Sequence, residues 1–143
     1  MAVAVGRRKN LKNKSIHIKT MKYLTYPVFY FEDSDFDDSG NLITIPADKT
    51  VFILFQSLRC YHCTEAKPAF LKFSQKNPDI MCGTIQVDSD KMTKNFIGKI
   101  NHIYPDLVGF PSYILYHKGK KVIYDGERTV DDMEKFVNGV LLV

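Results

Sequence analysis

Apolar runs of strand length alternate along this chain with apolar positions spaced three and four apart, and the alternation divides it into a regular series of elements. Tyr26-Pro-Val-Phe-Tyr-Phe31 is a short β-rich run. In the acidic stretch Glu32–Asp38 that follows, Ser34 or Asp35 is expected to cap a brief helix whose acids suit the positive end of its dipole. Ser39-Gly-Asn41 ends it. Thr50-Val-Phe-Ile-Leu-Phe55 is unbroken and apolar on both faces, which places it in the middle of a covered, partly parallel sheet.

From Cys60 to about Lys76 the pattern turns helical, with Ala66, Phe70, Leu71 and Phe73 on overlapping three- and four-residue spacings. Pro68 inside that segment is expected to kink it, and Asn77-Pro78 to close it. Ile80 to Asp88 reads as a second buried strand. Lys91 to Ile103 reads as an amphipathic helix with Met92, Phe96, Ile97 and Ile100 inward, and Tyr104 to Pro111 as irregular. Ser112–His117 and Lys121–Tyr124 flank Lys118-Gly-Lys120 as an antiparallel hairpin. Thr129 is expected to cap a last helix with Met133, Phe136, Val137 and Val140 on one face. Helices crossing between the early strands argue for parallel pairing there, and the hairpin adds an antiparallel edge. The predicted fold class is α/β, a three-layer α/β/α arrangement around a central mixed sheet.

Charge changes this picture at one end only. Residues 1–22 carry seven basic residues and no acid, while the remaining 13 basic and 16 acidic residues leave the rest of the chain at −3. The reading is a basic, flexible arm over 1–22 and a single mildly acidic domain over 23–143. The arm is weak as a nucleic-acid or acidic-surface anchor, because no aromatics are interleaved with its charges. No run approaches the roughly 18 apolar residues of a membrane span, and Met1-Ala-Val-Ala-Val-Gly-Arg-Arg8 is too short in apolar residues for a signal peptide. A cytoplasmic location is therefore expected.

Chemistry enters with Cys60-Tyr-His-Cys63, which stands where the central strand pattern gives way to the helical one. Unpaired N–H groups and the positive dipole end at a first helical turn favour thiolate over thiol, and the thiolate is the nucleophile of disulfide exchange. Three cysteines are too few for a secreted disulfide framework. A zinc half-site is the rival reading. Tetrahedral zinc would need Cys82 and one of His17, His102 or His117 to converge on the pair, since no second C-x-x-C or H-x-x-x-H exists, so no metal is expected.

Several ordered landmarks resemble the thioredoxin superfamily and, within it, the catalytic domains of protein disulfide isomerases. They are the apolar strand running into Cys60-Tyr-His-Cys63, Pro68 five residues beyond, Gly109-Phe-Pro-Ser112 ahead of a strand, and Tyr124-Asp-Gly-Glu-Arg-Thr129. Ser34-Asp-Phe-Asp37 is similar to the first helix of those domains, and the likeness covers roughly residues 27–143. The resemblance implies a thioredoxin fold and a thiol–disulfide oxidoreductase of isomerase- or oxidase-like poise acting on protein clients. In that reading Cys60 is the attacking thiol and Cys63 the resolving one. His62 and Arg59 tune Cys60, and Arg128 tunes Cys63. Pro111, if cis, presents the Phe110 backbone to a client beside Tyr61.

No cofactor is implied. The electron partner would be glutathione, a reductase or a sulfhydryl oxidase, and the chain is expected to be a monomer. Three positions depart from the family pattern: Arg59 replaces a usual Trp, Tyr61 a usual Gly or Pro, and Leu54 a usual buried Asp or Glu six residues before the first cysteine. These departures sustain an alternative, a redox-weak client-binding or chaperone module. Lys-, Asn- and Ile-rich usage fits a large DNA virus that encodes thioredoxin-like proteins, in which case a virion location is also open.

Overall fold

A computed structural model describes residues 23–87 and 109–142. The expected arm over 1–22, the expected helix from Lys91 to Ile103 and the start of the irregular stretch at Tyr104 lie outside the described residues. Among the described residues five strands form one sheet: β1 (Val28–Tyr30), β2 (Val51–Gln56), β3 (Met81–Gln86), β4 (Ser112–His117) and β5 (Lys120–Tyr124). Their spatial order is β1-β3-β2-β4-β5. β1 and β2 run parallel to β3, whereas β4 is antiparallel to β2 and β5 to β4. β2 is central and all six of its residues are buried, as an unbroken apolar run requires.

Two α-helices, α1 (Tyr61–Lys76) and α2 (Val130–Leu141), pack on the sheet face formed by Phe52, Leu54, Cys82, Tyr113 and Leu115. Phe52 sits at the middle of that face, with ring centroids of Phe70, Phe73, Tyr113, Tyr124 and Phe136 between 5.4 and 6.1 Å away. The opposite face, with Val51, Ile53, Phe55, Ile85 and Ile114, is covered by Phe31, Phe36, Leu42 and Ile45 from the segment after β1. Gly83 is required there: a Cβ at that position would lie 2.0 Å from a ring carbon of Phe31.

Three local readings are corrected. The brief early helix is a three-residue 3-10 turn, Asp33–Asp35, entered from Glu32, whose N–H donates to the Asp35 carboxylate at 2.7 Å; neither Ser34 nor Asp35 is the cap. The second parallel strand is Met81–Gln86, shorter at both ends than the apolar run. Lys120 belongs to β5, because Lys118 and Gly119 alone make the hairpin turn, with φ of 49° and 76°. Positive φ at both positions matches the twist of the flanking strands. Thr129 caps α2 as expected, its hydroxyl accepting from Asp132 N–H at 3.3 Å. α1 runs through Pro68 as one helix and ends at Asn77.

Candidate functional site

Cys60 and Cys63 lie at the carboxyl end of the central strand. β2 ends at Gln56, and a tight turn follows in which Cys60 N–H donates to the Ser57 carbonyl and Arg59 N–H to the Ser57 hydroxyl, both at 3.2 Å. The turn delivers Cys60 as the N-cap of α1, with extended backbone (φ −99°, ψ 117°). Its carbonyl accepts the first helical bond from Thr64 N–H, and its sulfur accepts from Cys63 N–H at 3.2 Å. A cysteine sulfur thus fills the place usually taken by a Ser or Asp oxygen. The thiol of Cys60 also donates to the Phe110 carbonyl at 3.3 Å, which brings the Gly109-Phe-Pro-Ser112 loop across the dithiol.

That loop has its own local reasons. Gly109 has φ of 153°, a region L side chains rarely adopt, and its carbonyl accepts from the Ser112 hydroxyl at 2.7 Å. The Phe110–Pro111 peptide is cis, as is Tyr26–Pro27. Phe110 and Pro111 are half-buried and hand the chain to β4, which pairs with β2 so that Tyr113 stands opposite Leu54.

The two thiols are free and differ sharply in surroundings. Cys60 is partly exposed, while Cys63, the third residue of α1, is 0% exposed. Burial pushes the Cys63 thiol up to about 12, and its hydrogen bond with the Cys60 thiol adds to the rise. Cys82 is a core thiol in β3, opposite Val28 and Phe52, and burial raises it to about 12 as well. Among the described residues no cluster of His, Cys, Asp and Glu is arranged to hold a metal.

The remaining expected site residues surround this pair unevenly. Tyr61 is 70% exposed beside Cys60, and its ring meets that of His62 edge-on at 5.7 Å. His62 faces outward and places Nδ1 3.3 Å from a Glu65 carboxylate oxygen. Arg59 and Arg128 are exposed. Arg128 nonetheless exerts its charge on the buried Tyr113 hydroxyl, which also senses Cys63.

Sequence reasoning passed over Lys67, Gln56 and Tyr113. Strand alternation carries Gln56 to the same face as Phe52 and Leu54, and its amide is fully buried with neither polar atom hydrogen-bonded among the described residues. Lys67 is fully buried on α1, four residues after Cys63. Their signal was positional: each continues an apolar stripe.

No family model matches the chain. It is 36% identical over 135 residues to the thioredoxin-like protein 453L of Invertebrate iridescent virus 6, a match covering 82% of this chain and 97% of that protein. The chain belongs to the thioredoxin superfamily. It is also 30% identical over 104 residues to protein disulfide-isomerase of Humicola insolens, covering 68% of this chain but only 19% of the isomerase. Among solved structures, the J-Trx1 fragment of ERdj5 superposes with a TM-score of 0.60 at 18% identity, over 81% of this chain and 52% of that one, a likeness of fold. The Cys60–Cys63 spacing at the N-terminus of α1, in a chain with these relatives, makes the protein a thiol–disulfide oxidoreductase at the level of class.

Proposed function

We propose that the protein exchanges disulfides with protein clients through Cys60-Tyr61-His62-Cys63, with a poise on the isomerase or oxidase side. The observation that carries this reading is the asymmetry of the pair, with a partly exposed Cys60 sulfur at the helix cap and a buried Cys63 directly behind it. In the reducing direction the Cys60 thiolate attacks a client disulfide, forms a mixed disulfide and expels one client sulfur as thiolate. Cys63 then attacks the Cys60 sulfur. The Cys60–client bond breaks, the Cys60–Cys63 disulfide forms, and the second client sulfur leaves and takes up a proton. The oxidising direction is the same sequence reversed.

His62 and Arg59 support the poise. Positive groups beside Cys60 favour the reduced form and so raise the reduction potential. Phe110, Pro111 and the exposed ring of Tyr61 form the client-facing edge, where an extended segment adds main-chain hydrogen bonds next to Cys60. Arg128, expected to tune Cys63, exerts its charge on the Tyr113 hydroxyl, which also senses Cys63. The electron partner is glutathione, a reductase or a sulfhydryl oxidase, and the protein works as a monomer in the cytoplasm. Among the described residues no helix is long and apolar enough to cross a membrane.

One observation favours a second reading. A buried Cys63 thiol held near 12 resolves slowly, and a protein that resolves slowly enough is a client-binding module with little redox turnover. Cys63→Ser separates the two readings. Incubated with disulfide-containing proteins and separated without reductant, the variant accumulates covalent adducts through Cys60 if exchange is the function. Absence of adducts would leave only the binding module.

A further inference from the structure

Cys63 must lose a proton before it can close the disulfide, and most of its surroundings oppose that. Burial and the Cys60 thiol both hold the proton on. On the sheet face beneath it, Leu54 is apolar and Gln56 and Thr84 are neutral, with the Thr84 hydroxyl committed to the Leu54 carbonyl at 2.8 Å. Tyr113 on β4 is a phenol whose own proton is held by burial, and the Arg128 charge beyond β5 is felt there. Among the described residues, none of the groups acting on Cys63 is a carboxylate.

Two features work the other way. A backbone hydrogen bond from Ser57 reaches the Cys63 sulfur, and the charge of Lys67 favours its thiolate. Lys67 is unusual as a helix residue. It is 0% exposed and shares the buried stripe of α1 with Cys63, Ala66, Phe70 and Phe73. Residues i and i+4 lie one above the other, and helical side chains lean toward the N-terminus, so a long side chain at 67 runs back over position 63. Burying an ammonium costs stability that an apolar side chain in the same place would not.

We propose that Lys67 is a positioning residue for the resolving step, a buried cation one helical turn beyond Cys63 that favours the Cys63 thiolate as it attacks the mixed disulfide. The inference rests on the exchange reading above and deepens it. In that step Cys63 gives its proton to water, its thiolate forms the bond to the Cys60 sulfur, the Cys60–client bond breaks, and the departing client thiolate takes a proton from water. The Cys63 sulfur is oxidised and the client sulfur reduced, with no further reagent. Lys67 gives up nothing to the step and acts through its charge.

The test has two readouts. In a Cys60→Ser background, the pH dependence of Cys63 alkylation by iodoacetamide is compared with and without Lys67→Met, and the midpoint is expected to move up by about one unit. With both cysteines present, a mixed disulfide preformed on Cys60 with glutathione is expected to persist roughly tenfold longer at pH 7 in Lys67→Met, the same shift expressed as lost thiolate. Lys67→Arg should restore most of the rate, and Lys67→Gln provides the uncharged comparison if the Met variant does not fold. An unchanged alkylation midpoint overturns the inference whatever the exchange assay gives. A shifted midpoint in a protein whose wild type never closes the Cys60–Cys63 disulfide overturns the resolving role and the proposed exchange function together.

Discussion

The two faces of the sheet are made from similar aromatic and branched side chains, but they handle polarity differently. On the face away from α1 and α2, Phe31, Phe36, Ile53, Phe55, Ile85 and Ile114 form one apolar cluster, and the buried Tyr116 hydroxyl donates to the Gly40 carbonyl at 3.0 Å. The helix face is equally apolar around Phe52, Phe70, Phe73 and Val137. Toward the carboxyl end of β2 it changes character and takes in Gln56, Lys67, Thr84 and the Cys63 thiol. Buried polar groups cost stability unless fully satisfied. Among the described residues, one face is therefore organised mainly for packing, and the other gives up some packing stability where the dithiol sits.

Truncation on the packing face should break this contrast most forcefully if it is wrong. Phe36→Ala removes a fully buried ring that meets Phe31, Phe55 and Tyr116, and should cost about 3–5 kcal/mol in urea unfolding. The folded fraction should keep its dithiol reactivity; a parallel loss of exchange rate would show that the faces are not separable. Gln56→Leu should act in the opposite direction on stability. Both amide atoms are buried without partners, so the variant should gain roughly 1–3 kcal/mol by the same measurement. A loss there would mean that the amide has a role the packing does not reveal.

A further effect is one of pH. Cys63 and Cys82 are both held near 12 by burial, so in the folded protein they stay protonated above the pH at which unfolded thiols ionise. The unfolded state then binds fewer protons, and stability falls as pH rises from about 9 toward 12. Below that window these thiols contribute no pH dependence. Cys82→Ala should flatten part of the alkaline slope, whereas an unchanged slope would remove Cys82 from this account.

Much of the architecture was legible because its signals were strong. β2 is apolar at every position, the switch from strand to helix marks Cys60 as a cap, and Thr129 precedes an acidic first turn. The 3-10 turn after β1 spans three residues and is too short to show periodicity, which is why its cap was misplaced. From sequence the hairpin turn reads as one residue longer, because Lys118 is not a usual residue at positive φ. Lys67 escaped for a deeper reason. A lysine in an amphipathic helix is ordinarily taken to mark the solvent side, and only its four-residue spacing from Cys63 placed it on the buried one. The carbonyl of Phe110 over Cys60 depends on a contact between residues 50 positions apart, which no local pattern encodes.

The central claim is that Cys60 and Cys63 form a working redox pair poised on the isomerase side. Equilibration of the protein with glutathione buffers, followed by thiol counting, measures this directly. The account predicts a reversible Cys60–Cys63 disulfide with a potential near about −180 mV. A value near about −270 mV would contradict the poise, and a pair that forms no disulfide at any buffer ratio would contradict the claim itself.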